Sequence, residues 1–204
     1  MNKIQLIEES IRSGSATLSR EGALIVQTGK FTGRAVKERF IVDRPELKTT
    51  IAWNNTNLAI DSKFSTDLFG KIEKKLSTKN FQMKAYVGCF PIQVQSTSAW
   101  HIIFAENMFR KKPSPIQTKE ALPTIRIFHD PDGKVSDYGL KHTSETLIVL
   151  DPVEMKVAIV GTSYAGEIKK SAFTLCNYAL PQIGIFPMHA SANCLEDGSE
   201  SCVL

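Results

Sequence analysis

Residues 161–193 read GTSYAGEIKKSAFTLCNYALPQIGIFPMHASAN, and an apolar run from Met155 to Val160 leads into them. The run reads as a strand, Gly-Thr-Ser as a turn, and the residues around Lys169 and Lys170 as a helix ending near Pro181. A second extended segment then delivers His189. This strand–helix–strand order places two lysines, an imidazole and the phenol of Tyr164 at one end of a sheet. Open α/β sheets bind their ligands at such an end.

Upstream, Thr146–Leu150 and Met155–Val160 are expected to be neighbouring strands around Asp151-Pro152. Thr124–Phe128 reads as a short strand, and His129–Thr143, with its D-P-D-G, as a loop. Phe81–Phe90 and Ile92–Gln95 read as strands interrupted by Pro91, a residue that belongs at an edge, a bend or a strand start. Ser98 is placed to cap a helix running to Arg110, and Lys111–Ala121 reads as a surface loop. Phe64, Leu68, Ile72 and Leu76 repeat every four residues and predict an amphipathic helix over Asp61–Leu76. Residues 2–12 predict a short helix packing through Ile4, Ile7 and Ile11. Ala23–Gln27 and Arg39–Val42 read as strands joined by a glycine-containing loop. The sum is an α/β domain with a mixed β-sheet flanked by helices.

Composition narrows the function classes. Of 204 residues, 42% are hydrophobic and 23% charged, enough apolar material for a sizeable core. A net charge of +4 suits an anionic small molecule and falls short of the basic stripe of a nucleic-acid binder, so no nucleic-acid partner is expected. No apolar run approaches the roughly 18 residues of a membrane span, so no membrane partner is expected. The cysteines, Cys89, Cys176, Cys194 and Cys202, form no C-x-x-C pair and lack zinc spacing. With no signal-peptide pattern in the opening MNKIQLIEESIRS, reduced thiols and a cytoplasmic location are expected.

Two stretches carry candidate chemistry. Thr28–Arg34, TGKFTGR, has two glycines that permit close backbone approach, and Lys30 and Arg34 suit an anion. An arginine fork matches a carboxylate or phosphate, although a plain surface turn fits the same residues. No G-x-x-x-x-G-K-[ST] phosphate loop occurs. Lys169 and Lys170 lie about 100° apart on a helix. One therefore faces a site while the other faces solvent or a second ligand group, unless both simply coat a solvated face. A neutral lysine amine can join an imidazole at a metal, yet two nitrogens do not close a site. His189 remains, on this reasoning, either a ligand or an ordinary hydrogen-bonded residue.

Together, ALIVQTGKFTGR (residues 23–34), AWHIIFAENMF (99–109), residues 146–160, YAGEIKK (164–170) and MHASAN (188–193) resemble the ATP-dependent phosphoenolpyruvate carboxykinases over roughly residues 20 to 200. The resemblance implies conversion of oxaloacetate and ATP to phosphoenolpyruvate, ADP and carbon dioxide, a lyase step of gluconeogenesis. It implies that Arg34 binds the substrate carboxylate, that Tyr164 lines the substrate site, and that Lys169 is a neighbouring active-site lysine. It further implies that Lys170 and His189 ligate manganese (or magnesium), with Lys170 also touching substrate and nucleotide phosphate. A metal and fixed cations suit the enolate left by decarboxylation and the γ-phosphoryl group it attacks.

Three departures qualify the resemblance. Ala190 stands where the family often has cysteine, and Ser163 where it usually has an aromatic; neither position supplies a ligand. The family pattern then continues past MHASAN into an apolar strand and a phosphate loop, whereas this sequence reaches Leu204 at the start of that strand. The phosphate loop, an aspartate ligand of the metal and a second substrate arginine therefore lie outside these residues. The expectation is one N-terminal carboxykinase domain over 1–204, without the nucleotide-binding domain and inactive alone. The alternatives are a non-catalytic module for carboxylates or phosphocarboxylates, and a half-enzyme completed by a separate kinase-half chain.

Overall fold

The two apolar runs beside Asp151-Pro152 form adjacent antiparallel strands at the middle of the molecule. The computed structural model describes residues 1–78, 80–115, 121–197, 199 and 201–203. Helix α1 (Lys3–Arg12) precedes a ribbon of β1 (Ala16–Leu18) and β2 (Leu24–Val26). Strands β3 (Arg39–Val42) and β4 (Leu58–Ile60) lead to helix α2 (Ser62–Thr78). A hairpin of β5 (Phe81–Val87) and β6 (Phe90–Ser96) is followed by helix α3 (Ala99–Met108) and β7 (Ile125–Asp130). Then come β8 (Leu147–Asp151), β9 (Lys156–Val160), helix α4 (Gly166–Gln182) and a ribbon of β10 (Ala192–Cys194) and β11 (Ser201–Val203).

Seven strands form one mixed sheet in the order β4-β3-β8-β9-β7-β6-β5. Only the β8–β9 and β5–β6 pairs are antiparallel. Side chains alternate between two cores, as the two-residue strand period requires. Ile148, Leu150, Val157 and Ile159 meet buried residues of α1, α3 and α4, including Leu6, Ile102, Ile168 and Leu175. Leu147, Val149, Ala158 and Val160 meet Leu68, Phe69, Ile72 and Leu76 of α2. Burial on both faces explains why β8 and β9 read as unbroken apolar runs. Among the described residues, no helix is long and apolar enough to cross a membrane.

Several local expectations are corrected. In α1 the buried residues are Leu6 and Ser10, while Ile4 is 67% and Ile11 39% exposed. Of the three expected isoleucines Ile7 does pack against the core, and the helix is set by its contact with α3. Pro91 lies within an inner strand, opposite Tyr86. Tyr86 exchanges its backbone hydrogen bonds with Arg110, and the β6–β7 pairing starts at Ile92, so the missing proline N–H costs no ladder bond. Ser98 occupies the N-cap of α3 without making a capping hydrogen bond. His129 and Asp130 belong to β7, not to the loop, and a 3-10 turn spans Val135–Tyr138. Residues 116–120 of the expected Lys111–Ala121 loop lie outside the described residues. The extended segment after α4 does not return to the main sheet, so the opening unit is a strand and a helix followed by a separate ribbon.

Candidate functional site

The loop from Gly161 to Ala165 links β9 to α4, and two buried histidines brace it from below. His129 Nε2 lies 3.0 Å from the Thr162 carbonyl oxygen, and His101 Nε2 lies 3.1 Å from that of Ser163. A carbonyl only accepts, so each imidazole carries its proton on Nε2. His129 Nδ1 then accepts from the Ser96 hydroxyl at 3.0 Å. The rings meet edge to face with centroids 4.3 Å apart. Burial pushes His129 down to about 4, opposed by the Thr162 carbonyl and Asp130. His101 is held well below the ordinary histidine value, by burial first and by His129 second.

The sign of the resulting pH dependence follows from proton counts. Between about pH 6.5 and 4 the unfolded chain binds a proton at His129 that the folded chain refuses, so stability falls as pH falls through that window. Each such histidine contributes a slope of up to about 1.4 kcal/mol per pH unit. Urea unfolding at pH 7 and pH 5 checks this. The His129→Asn variant is expected to start less stable at pH 7 and to lose less on acidification. An unchanged pH slope in the variant contradicts the assignment.

This bracing sets Tyr164 and the start of α4. The Tyr164 N–H donates to Thr162 Oγ1 at 3.2 Å, and its ring folds back over Gly166. A Cβ on Gly166 would sit 2.5 Å from Tyr164 Cε1, so glycine is what allows the ring to lie there. Tyr164 is half-buried at the head of the helix.

One edge of α4 carries a polar row at helical spacing, Glu167, Lys170 and Thr174. The Lys170 Nζ lies 2.7 Å from His189 Nε2, across 19 residues of chain. The His189 ring meets Phe173 edge to face at 5.7 Å, which helps hold the exposed imidazole against the helix. A turn earlier, Glu167 Oε1 lies 3.6 Å from Arg34 Nε and accepts from the Ala35 N–H at 3.2 Å. A turn later, Arg39 donates to Thr174 Oγ1. Burial raises the Glu167 carboxyl, against the pull of Arg34 and Arg39. Burial likewise lowers the Arg39 guanidinium, and the neighbouring Arg34 charge lowers it further.

The structure thus brings Arg34, Lys170 and His189 to consecutive turns of one helix edge, with Tyr164 at its head. Lys169 is exposed, about 100° round the helix from Lys170. Glu167, Arg39 and the two bracing histidines are the members that sequence reasoning missed. The three-and-four spacing of Glu167, Lys170 and Thr174 was visible in advance, while their partners were not. As metal donors, Lys170 and His189 offer two nitrogens 2.7 Å apart, the amine only in its neutral form, and manganese or magnesium needs oxygen ligands beside them. Among the described residues, no group of three or more His, Cys, Asp or Glu side chains joins them. The pair therefore fits a metal as part of its coordination shell.

Comparisons with known proteins show which family the chain is similar to. The family model described as phosphoenolpyruvate carboxykinase matches residues 1–204. A phosphoenolpyruvate carboxykinase (ATP) of Geobacter sp. (strain M21) is 37% identical, over 95% of this chain and 37% of its own length. That of Geobacillus kaustophilus is 35% identical over 95% of this chain and 38% of its length. That of Thermus thermophilus is 33% identical over the same shares. The chain thus spans well under half the length of these relatives. The match over all 204 residues, on a mixed α/β sheet, places the chain in the ATP-dependent phosphoenolpyruvate carboxykinase family.

Proposed function

We propose that residues 1–204 are the substrate-binding N-terminal part of a carboxykinase that converts oxaloacetate and ATP to phosphoenolpyruvate, ADP and carbon dioxide. The observation that carries this reading is the convergence of Lys170 and His189, 2.7 Å apart, one helical turn from the Glu167-anchored Arg34. With its Nε engaged, Arg34 presents two terminal nitrogens to a substrate carboxylate. Tyr164 lines the same site and donates a hydrogen bond to a substrate oxygen. Lys170, as the neutral amine, would share a divalent ion with His189 beside the enolate oxygen that develops once carbon dioxide departs. Lys169, exposed beside it, serves a second ligand group entering from solvent. Manganese or magnesium held by Lys170 and His189 would supply positive charge for the enolate when bound.

Phosphoryl transfer needs a phosphate cradle, and no such loop occurs in the 204 residues. The isolated chain on this reading binds substrate without turning it over, and ATP is a co-substrate only with a nucleotide-binding part that this chain does not span. All four cysteines are free thiols, which supports a reducing, cytoplasmic setting.

Calorimetry tests the reading. Phosphoenolpyruvate is expected to bind the 204-residue chain, and Arg34→Ala to weaken it about 10-fold or more, the worth of a charge-assisted bidentate contact. Equal affinity in the variant removes Arg34 from the site. ATP-dependent phosphoenolpyruvate formation by the purified chain removes the expectation that it is inactive alone.

A further inference from the structure

We propose that Glu167 is a positioning residue, whose carboxylate locks Arg34 through Nε and the following backbone N–H so that the guanidinium fork is held ready for a substrate carboxylate. The proposal rests on reading Arg34 as the carboxylate-binding group. Its geometry stands independently.

Glu167 is 1% exposed, and a carboxylate so buried is tolerated only when it is paired. Its contacts run to the loop before β3, 132 residues away in sequence: Ala35 N–H at 3.2 Å and Arg34 Nε at 3.6 Å. Oε2 is buried with no hydrogen-bond partner among the described residues, and so is the Nε of Arg39. Arg39 is itself tethered to the helix edge at Thr174. One carboxylate therefore stands between two arginines and neutralises the repulsion that Arg34 exerts on Arg39. Arg34 remains 33% exposed while its Nε lies against the buried carboxylate. A free arginine must surrender rotamer entropy on binding, and fixing Nε beforehand removes part of that cost.

The test uses the whole chain and reads two things. The first is the Arg34 Nε–H signal in nitrogen–proton spectra, identified by its loss in Arg34→Lys. In the native chain it is expected to be shifted and protected, and in Glu167→Gln to return to the position of solvent-exposed arginines. The second is phosphoenolpyruvate affinity, expected to fall about 10-fold in Glu167→Gln, as loss of the ion pair frees the guanidinium, and to be partly rescued in Glu167→Asp. A changed signal with unchanged affinity leaves a structural ion pair and overturns the positioning role. An unchanged signal overturns the contact itself. Should Glu167→Gln fail to fold, Glu167→Asp, which keeps the charge but withdraws it by a methylene, is read against the same two outcomes. If the native chain binds no phosphoenolpyruvate, or Arg34→Ala binds it equally, the substrate reading fails. The positioning role falls with it, and the Nε–H signal still decides whether the contact exists.

Discussion

Exchanging Asp130 for alanine is expected to lower the unfolding free energy by about 3 kcal/mol, read as a drop in the urea midpoint at unchanged slope. Asp130 is 2% exposed at the end of β7. Its carboxylate accepts from Lys75 Nζ at 2.6 Å, the Tyr138 hydroxyl at 2.5 Å and Thr97 Oγ1 at 3.1 Å. These donors come from α2, from the 3-10 turn after β7, and from the segment after β6. Lys75 is 43% exposed and can turn to water, so its share is small. The larger loss is the buried Tyr138 hydroxyl, whose proton is held by burial first and by Asp130 second. Stranding such a group costs about 1–3 kcal/mol by itself. Asp130→Asn retains an acceptor oxygen and is expected to lose about half as much. A loss under about 1 kcal/mol in Asp130→Ala refutes this account.

Gly161→Ala is expected to cost about 3 kcal/mol as well, and to disturb the site in addition. Gly161 has φ +76°, and a Cβ there would lie 3.0 Å from the carbonyl oxygens of Glu145 and Gly133 and 3.1 Å from Thr146 Cα. All three are backbone atoms, which cannot rotate aside. The left-handed conformation contributes about 1–2 kcal/mol and the overlap about 1–3 kcal/mol. Gly14 provides the control, because it has φ +74° with nothing within 4 Å of its would-be Cβ. Gly14→Ala is expected to show the conformational cost alone. Gly161 also begins the loop that sets Tyr164, and its N–H donates to the Asp130 carbonyl at 3.0 Å. Phosphoenolpyruvate binding should therefore weaken in Gly161→Ala and not in Gly14→Ala. Equal stability losses in the two variants contradict the crowding argument.

Much of the sheet was legible before the structure. The runs LIVL and VAIV carry the period and apolarity of strands covered on both faces, and α2 announced itself by Leu68, Ile72 and Leu76. The misreadings have one physical source. Ile4 and Ile11 looked like a packing face because spacing reports periodicity, but not which neighbour the helix meets. Pro91 looked like an interruption because its register was unknown. His129 looked like a loop residue because a buried imidazole has no distinctive signature until its partners, Ser96 and the Thr162 carbonyl, are in place.

Arg34, Tyr164, Lys170 and His189 could be named from their motifs, and the strand–helix order follows from local pattern. Such information is carried by neighbours within a helical turn or a strand repeat. Glu167 joining Arg34, Arg39 reaching Thr174, and His101 and His129 bracing the loop before α4 span 62 to 135 residues in three of the four cases and 33 in the other. These contacts depend on where the 28–38 loop crosses α4 and on the register of β7 beside β9. Only packing of the two cores against the sheet decides those positions. Sequence by itself determined which residues are the candidates for the chemistry, and the tertiary structure decided which carboxylate and which imidazoles hold them in place.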